Sequence, residues 1–203
     1  MTRTAALVLS GGESSRFGGF PKALLSIGPE TAVHAVVARC RDRGFDPVVV
    51  VTGAHPGPIA HAVRDLRATV VTAENWRDGR TASLQAGLAA VPPEADLLFW
   101  PIDHPFVSDR TIDSLLAARD SDPLAVWFLP EWEQRGGHPV LWRSTIRRDL
   151  LALRPDAPIR SLIPEFGPQV RRVRVDDPGV LANVDTPEEF REALDAWRRR
   201  EGA

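Results

Sequence analysis

The sequence predicts a doubly wound α/β fold in which helices cover both faces of a mostly parallel sheet. Apolar runs of strand length alternate with helical patterns along most of the 203 residues. Several runs are continuously apolar, which indicates strands buried on both faces. Alternation of strands and helices is typical of a parallel sheet with crossover helices. No repeat or low-complexity tract interrupts the pattern, so we expect a single domain over residues 1–203.

The first half of the chain contains four predicted strands separated by three predicted helices. The strands are expected at residues 4–10, 46–52, 68–72 and 96–102. The helices are expected at residues 31–43, 58–66 and 80–91. The last of these strands, D-L-L-F-W-P-I, is the most apolar run of the chain and ends directly before Asp103. We therefore place it in the interior of the sheet.

After Asp103 the pattern becomes less regular. Helices are predicted at 108–119, 143–153 and 159–166, and strands at 124–129 and 138–142 around the loop P-E-W-E-Q-R-G-G. The strand predicted at 170–175, V-R-R-V-R-V, alternates between apolar and charged residues, which favours an edge position. The final helix opens with T-P-E-E from Thr186, which combines a capping box with proline at the first helical position.

Composition excludes several classes of protein. Apolar residues make up 43% and charged residues 26%, as in an ordinary globular protein, and the net charge of −2 gives no footprint for nucleic acid or an anionic membrane. The single cysteine, Cys40, allows neither an intramolecular disulfide nor a cysteine-based zinc site. No signal peptide and no apolar run of about 18 residues is present, so we expect a cytoplasmic protein without a membrane partner.

The segment L-S-G-G-E-S-S-R-F-G-G-F-P-K, from Leu9 to Lys22, carries most of the functional information. It follows the first predicted strand directly and combines four glycines with one arginine and one lysine. Such a loop exposes backbone N–H groups and two cations to one point, as a bound triphosphate requires. Arg16 is suited to grip phosphate oxygens in a bidentate fork, and Lys22 acts as a point charge. The alternative is a mobile surface loop between a strand and a helix.

Two common phosphate-binding patterns do not fit this loop. The form G-x-x-x-x-G-K-[ST] requires glycine before the lysine, whereas Pro21 precedes Lys22 and Ala23 follows it. The dinucleotide form G-x-G-x-x-G is also missing. The pattern G-G-x-S-x-R-F-G-x-x-P-K instead closely resembles the signature of the MobA-like nucleotidyltransferases.

The resemblance implies an enzyme that moves a nucleoside monophosphate from an NTP to a phosphorylated acceptor and releases pyrophosphate. It implies a Rossmann-like fold of the nucleotide-diphospho-sugar transferase type, with a nucleotide half at about 1–103 and an acceptor half at about 104–203. The loop would then wrap the triphosphate, with Arg16, Lys22 and Asp103 as catalytic residues. A target molybdoenzyme or accessory protein is implied as a partner, besides the NTP and the acceptor.

Two aspartates are candidate ligands for Mg²⁺, the cation that normally accompanies a triphosphate. Asp103 ends an apolar strand, and ligands of open α/β sheets bind beyond the carboxyl ends of strands. Asp185, in N-V-D-T-P, precedes the last helix, and Asn183 competes with it as the second ligand. Each aspartate also has a simpler interpretation, an Asx-turn for Asp103 and favourable interaction with the helix dipole for Asp185. The family resemblance favours metal binding by both.

Other segments bear on the choice of nucleotide and acceptor. The stretch N-W-R-D-G-R-T-A-S-L-Q-A-G-L, from Asn75 to Leu88, resembles a segment of molybdenum cofactor cytidylyltransferases, whereas L-S-G-G is closer to the guanylyltransferase form. His104, where cytidylyltransferases usually carry Gln, and His138, in a G-H-P motif, are predicted to contact the acceptor. The residues predicted to bind the nucleotide are Leu9, Ser10, Gly11, Gly12, Ser14, Arg16, Lys22, Thr52, Gly53, Asn75, Gly79 and Ser83.

Taken together, these motifs favour an Mg²⁺-dependent transferase that uses CTP, with GTP possible, and an acceptor such as molybdopterin or the molybdenum cofactor. Two alternatives stay open. One is a nucleotidyltransferase for a sugar phosphate or another small phosphate, since the same loop and aspartates would serve it. The other is an accessory protein that binds the cofactor without turnover, because the segment R-P-D-A-P-I-R-S-L-I retains only Asp156 and Arg160 as polar groups comparable to the family motif.

Overall fold

A mixed β-sheet with helices on each side forms the architecture of the computed structural model, which describes residues 3–201. In chain order the strands are β1 (Thr4–Ser10), β2 (Ser26–Ile27), β3 (Glu30–Thr31), β4 (Val48–Thr52), β5 (Thr69–Thr72), β6 (Asp96–Pro101), β7 (Trp127–Trp132), β8 (Arg135–Gly136), β9 (Val140–Trp142) and β10 (Val170–Arg174). The helices are α1 (Ala32–Asp42), α2 (Pro56–Ala62), α3 (Arg80–Leu88), α4 (Asp109–Ser121), α5 (Arg147–Ala152), α6 (Ile163–Phe166) and α7 (Pro187–Glu201). Short 3₁₀ turns connect several of them, including one at Lys22–Leu24 and one at Trp76–Asp78.

The main sheet has the order β10-β7-β9-β6-β1-β4-β5, and β8 forms a hairpin with β7. Strand β1 pairs in parallel with both β4 and β6, and only β9 on this path runs antiparallel to its neighbours. The register sets Ser10 beside Thr52 and Leu9 beside Pro101, so the carboxyl ends of β1, β4 and β6 meet at one edge. The predicted doubly wound, mostly parallel sheet is confirmed.

Strand β1 shows how the sheet separates two hydrophobic cores. Ala6 and Val8 face one core, where α1, α2, α4 and α7 pack. Leu7 and Leu9 face the other, which contains α3 and α5 and contacts α6. A continuously apolar strand is required here because both of its faces are covered. The prediction of helices on both faces is therefore confirmed.

Cap chemistry places two helix starts where the sequence predicts them. The Ser108 side chain accepts a hydrogen bond from the Thr111 backbone N–H at the start of α4. At the start of α7, the Thr186 hydroxyl accepts from the Glu189 N–H, and the Glu189 carboxylate accepts from the Thr186 N–H. This reciprocal pair is a capping box, which satisfies N–H groups that the helix leaves unpaired.

The structure differs from the sequence-based prediction mainly between 124 and 166. The predicted strand at 124–129 begins instead at Trp127, because Leu124 is 80% exposed and lies outside the sheet. Strand β7 then continues to Trp132 and turns back into β8 through Glu133 and Gln134, both with positive φ. The predicted helices at 143–153 and 159–166 each form as a 3₁₀ turn followed by a short α-helix. The edge position of β10 agrees with the prediction.

Within residues 3–201, none of the helices combines the length and apolar character needed to cross a membrane.

Candidate functional site

A cavity of about 540 Å³ lies at the carboxyl ends of the central parallel strands. The predicted nucleotide and metal residues that line it are Leu9, Ser10, Gly11, Gly12, Lys22, Gly79, Ser83 and Asp103. Residues that the sequence analysis did not single out also line it: Glu13, Trp76, Arg77, Arg80, Pro101 and Ile102. The N-terminal glycine loop and the segment after β5 therefore enclose one space, although about 50 residues of sequence separate them.

The glycine loop folds back on itself through residues with left-handed backbone. Ser14 has φ 53°, and Gly18 and Gly19 have φ of 62° and 83°. The Ser14 hydroxyl accepts a hydrogen bond from the Lys22 backbone N–H at 3.1 Å. In this conformation Ser14 braces the loop internally rather than lining the cavity. Left-handed geometry explains why glycines are needed here, since a β-carbon disfavours it.

Lys22 connects the loop to the far end of the chain. Its ammonium donates to the Asp185 carboxylate at 2.8 Å and to the Val184 carbonyl at 2.9 Å. Arg16 lies 3.6 Å from the other carboxylate oxygen of Asp185, which also accepts from the Asn183 amide. The Lys22 hydrogen bond is the main cause that lowers the pKa of Asp185 below its ordinary value. Asp185 is thus ionised and serves as counter-ion to both loop cations.

Asp103 follows β6 and is bonded to the same late turn. Its backbone carbonyl accepts from the Val184 N–H at 2.8 Å. Its side chain is 10% exposed, and Oδ2 accepts from the Arg80 guanidinium at 3.0 Å. Oδ1 is buried without a hydrogen-bond partner among the described residues, and the nearest imidazole nitrogen of His104 is 3.8 Å away. Asp103 and Asp185 therefore emerge at the same edge of the sheet.

The donor set at this edge suits a hard divalent cation. A buried carboxylate oxygen without a partner, as at Asp103, is costly unless something else satisfies it. Magnesium takes oxygen ligands and often only one or two protein carboxylates, with water and phosphate completing its shell. The described residues contain no cluster of three or more acidic, histidine or cysteine side chains that could hold a metal alone. Asp103 and Asp185 fit a cation that arrives with a ligand of its own.

His104, which is buried, and His138, which is half-buried, lie side by side near Asp103. Their ring centroids are 4.9 Å apart. Burial lowers the pKa of His104, and it lowers the pKa of His138 to about 3. Both imidazoles are consequently neutral near pH 7 and offer hydrogen bonds rather than positive charge.

A second cavity, of about 630 Å³, is lined mostly by residues from the C-terminal half of the chain. Its aromatic wall is built from Phe99, stacked on Trp142 at 5.1 Å, and from Trp127, edge-on to Trp142 at 5.1 Å. Residues that bring polar or charged groups to this cavity are Arg80, His138, Asp156, Arg160 and Arg172. It is an apolar cleft with cationic groups around it, the usual form of a small-molecule site.

Five predicted nucleotide residues do not line the first cavity: Ser14 and Arg16 of the glycine loop, and Thr52, Gly53 and Asn75. Thr52 is fully buried, with its hydroxyl 3.4 Å from that of Thr72. Gly53 packs so closely that a β-carbon there would meet the Gly11 carbonyl oxygen and lie 2.7 Å from Trp76. Asn75 is exposed and precedes the 3₁₀ turn at Trp76–Asp78. Of these, Gly53 packs against Gly11 and Trp76, two residues that line the cavity.

A comparison with protein families shows which family the chain belongs to. The model of the MobA-like NTP transferase domain matches residues 6–173. The chain belongs to this family. The resemblance inferred from the glycine loop is therefore confirmed.

Two relatives match more than nine-tenths of the chain. A molybdenum cofactor guanylyltransferase from Sinorhizobium fredii is 31% identical, over 98% of this chain and 93% of its own. Nicotine blue oxidoreductase from Paenarthrobacter nicotinovorans is 24% identical, over 91% of this chain and 93% of its own. One of these relatives is therefore named as a transferase and the other as an oxidoreductase.

Solved structures of other proteins share this fold. Rv0371c from Mycobacterium tuberculosis H37Rv is 29% identical with a TM-score of 0.79, covering 96% of this chain and 100% of its own. The same mycobacterial protein has also been solved in complex with manganese. A nucleotidyl transferase from Methanothermobacter is 23% identical with a TM-score of 0.82, covering 98% of this chain and 100% of its own, and it shares the fold.

Trp76 and Arg80 line the cavity but are not among the predicted site residues, although their place in the sequence is close to residues that are. Both lie inside the segment N-W-R-D-G-R, which was singled out for Asn75 and Gly79. A tryptophan and an arginine next to a predicted ligand segment could have been considered as ligands themselves. The pairing of Arg80 with Asp103, 23 residues later, is visible only in three dimensions.

Proposed function

We propose that this MobA-like protein is an Mg²⁺-dependent nucleotidyltransferase that moves an NMP from an NTP to a phosphorylated acceptor such as molybdopterin. One observation carries the proposal: Lys22 of the glycine loop and Asp103 after β6 line one cavity, and the late Asp185 turn is bonded to both. In the reaction, an acceptor oxygen forms a bond to the α-phosphorus. The bond from the α-phosphorus to the bridging oxygen breaks, and pyrophosphate leaves.

The charges around the cavity support a triphosphate as the ligand. Arg16 and Lys22 have Asp185 as their shared counter-ion, so an incoming triphosphate exchanges one anionic partner of these cations for another. The exchange frees the Asp185 carboxylate, while the buried Oδ1 of Asp103 already lacks a partner among the described residues. A bound magnesium ion would neutralise phosphate charge at these two carboxylates. Loss of one such contact should raise the barrier by about 2.7–4 kcal/mol.

The acceptor requires orientation more than activation. A phosphate oxygen is already an anionic nucleophile near neutral pH, so no strong general base is needed. Neutral His104 and His138, with pKa values lowered by burial, are suited to orient an acceptor through hydrogen bonds without competing with the cations. Residues 1–103 would then bind the nucleotide and residues 104–203 the acceptor, within one domain.

For the nucleotide, we propose GTP over CTP. The relative that is 31% identical over 98% of the chain is a guanylyltransferase, and the loop form L-S-G-G agrees with that choice. The segment from Asn75 to Leu88 favours CTP by its resemblance to cytidylyltransferases, and CTP is the competing prediction. For the acceptor, the prediction that competes with molybdopterin is a sugar phosphate or another small phosphate.

The test measures pyrophosphate release by purified protein with Mg²⁺ and each of GTP, CTP, ATP and UTP in turn. Molybdopterin, the molybdenum cofactor and a panel of sugar phosphates serve as acceptors, with a no-acceptor control for every nucleotide. We expect release with GTP and molybdopterin, and its loss in Asp103→Ala. If pyrophosphate is released only with a sugar phosphate, that sugar phosphate and not molybdopterin is the acceptor. If it is released only with CTP, CTP and not GTP is the nucleotide. No release with any pair would overturn the transferase proposal and favour a non-catalytic binder.

A further inference from the structure

Arg80 is the one described residue that lines both cavities. The first cavity contains the glycine loop and Asp103, and the second contains the aromatic wall and His138. A transfer reaction between two substrates must bring their reacting phosphates together at such a boundary. The position of Arg80 is therefore the place where charge from both substrates would accumulate.

The backbone that carries Arg80 is held rigidly. Gly79 precedes it with φ 140° and packs against the Pro155 carbonyl, where a β-carbon would lie only 2.7 Å from the oxygen. The Thr81 hydroxyl donates to the Ala157 carbonyl, and the Ala82 N–H donates to the Pro155 carbonyl at 3.3 Å. The first turn of α3 is thus bonded to the segment that forms part of the second cavity. Only the long side chain of Arg80 is left to move.

Most N–H donors of the Arg80 guanidinium have no partner among the described residues. Its one hydrogen bond within the described residues goes from Nη2 to Asp103 Oδ2, and its side chain is 54% exposed. A guanidinium carries five N–H donors in a planar fork that matches phosphate bidentately. The exposed donors can therefore take a phosphate without any rearrangement of the helix.

We propose that Arg80 binds the acceptor phosphate at the boundary of the two cavities, and that its ion pair with Asp103 is exchanged for this contact during substrate binding. The inference rests on the proposed transferase function. When Asp103 takes up a divalent cation, the guanidinium loses its carboxylate partner and is free to hold the phosphate bidentately. Arg80 thereby selects acceptors that carry a terminal phosphate. In the absence of substrate it competes with divalent cations for Asp103.

The test compares Arg80→Gln with wild type in two assays that need no turnover. Phenyl phosphate, an aromatic phosphate monoester, is titrated against tryptophan fluorescence, because Trp127 and Trp142 line the second cavity. Free Mn²⁺ is measured by electron paramagnetic resonance. We expect phenyl phosphate affinity to fall at least about tenfold, since a charged bidentate contact is lost. We expect Mn²⁺ affinity to rise severalfold, because Asp103 no longer has a competing cation.

A third assay uses the reaction itself. In Arg80→Gln the acceptor KM should rise and kcat/KM for the acceptor should fall by about 10²–10³-fold, while the KM for NTP changes by less than about threefold. Added guanidinium ion at millimolar concentration should restore part of the lost rate. Arg64→Gln is the matched control: Arg64 is exposed and lines neither cavity, and within residues 3–201 its side chain hydrogen-bonds only to His61.

Unchanged phenyl phosphate and Mn²⁺ affinities in a folded Arg80→Gln protein would overturn the inference. Weakening of both ligands together, with a lowered melting temperature and no rescue by guanidinium, would also overturn it and show a structural role. If Arg80→Gln does not fold, Arg80→Lys carries the test, and normal phenyl phosphate affinity in that variant overturns the bidentate contact. A wild-type protein that releases no pyrophosphate overturns the proposed function instead, and the two binding assays still decide the role of Arg80.

Discussion

The Lys22 side chain connects the glycine loop to the turn before α7, since its ammonium donates to both Val184 and Asp185. We predict that Lys22→Ala weakens NTP binding and slows turnover, by about 10²–10³-fold in kcat/KM if one transition-state charge contact is lost. The measurement is steady-state pyrophosphate release, together with NTP binding followed by tryptophan fluorescence.

Cys40→Ser is the matched control for that prediction. Cys40 is fully buried in α1, and burial raises the pKa of its thiol to about 12, so it is unreactive. Its substitution should leave kcat/KM nearly unchanged. Equal loss of activity in Lys22→Ala and Cys40→Ser would contradict the proposed site.

His138 gives the protein a specific sensitivity to acid. Burial is the largest cause that lowers its pKa from 6.5 to about 3, and neighbouring His104 and Arg80 lower it further while Asp103 raises it. Between these values the unfolded chain binds a proton that the folded chain does not, so stability falls as pH falls below 6.5. From pH 6.5 to 5 we predict a loss of about 2 kcal/mol from this group.

Urea unfolding of wild type and His138→Gln at several pH values measures this effect. The wild-type free energy of unfolding should fall more steeply between pH 6.5 and 5 than that of the variant. The lowered pKa of His104 contributes in the same direction and is present in both proteins. Parallel pH profiles for the two proteins would show that His138 is not buried in its neutral form.

At the scale of single elements, α3 approaches the sheet so closely that one position in it must lack a side chain. A β-carbon at Gly87 would meet Val51 Cγ2 and lie 2.7 Å from Leu7 Cδ1. Gly87→Ala should therefore destabilise the protein by about 1–3 kcal/mol through overpacking, offset in part by about 1 kcal/mol of helix propensity. Chemical denaturation measures the difference from wild type.

Gly57→Ala in α2 is the control for that substitution. Gly57 is exposed, and no atom lies within 4 Å of the β-carbon that the change would add. Helix propensity alone should then act and stabilise the protein by about 0.5 kcal/mol. A stabilising effect at both glycines would mean that α3 lies farther from β1 than the structure places it.

Local sequence signals located some elements well and others poorly. Ser108 and the capping box at Thr186 mark helix starts because their hydrogen bonds are made within one turn. The β7–β8 hairpin was not recognised, because its turn residues Glu133 and Gln134 adopt positive φ without the usual Asn-Gly pair. Pairing of β7 with β8 and β9 stabilises a turn that its own residues do not favour.

On the scale of the whole molecule, Asp177 joins the start of α4 to α7. It is 1% exposed and accepts hydrogen bonds from the Ser108 N–H, the Thr111 hydroxyl, the Gly179 N–H and the Arg200 guanidinium of α7. We predict that Asp177→Ala destabilises the protein by at least about 3 kcal/mol, because Arg200 loses its carboxylate partner and the Ser108 and Gly179 N–H groups lose this acceptor. Asp195→Ala, on the exposed side of α7, should change stability by less than about 0.5 kcal/mol.

Chemical denaturation followed by both tryptophan fluorescence and far-ultraviolet circular dichroism checks this prediction. If residues 1–203 form one domain, the two signals should coincide in a single transition in both variants and in wild type. Two separated transitions would contradict the single-domain prediction. Equal stability of Asp177→Ala and wild type would contradict the role of Asp177 in holding α7. The cytoplasmic location expected from the sequence stays a prediction.

The sequence by itself determined the fold class and the family. Continuous apolar runs require a sheet covered on both faces, and the glycine loop from Leu9 to Lys22 carries the pattern that resembles the MobA-like signature. Only the tertiary structure decided which charges meet. The bonds from Lys22 to Asp185 and from Arg80 to Asp103 span 163 and 23 residues. Such pairs form because parallel strands bring their carboxyl ends to one edge, and a linear pattern carries no distance information across that edge.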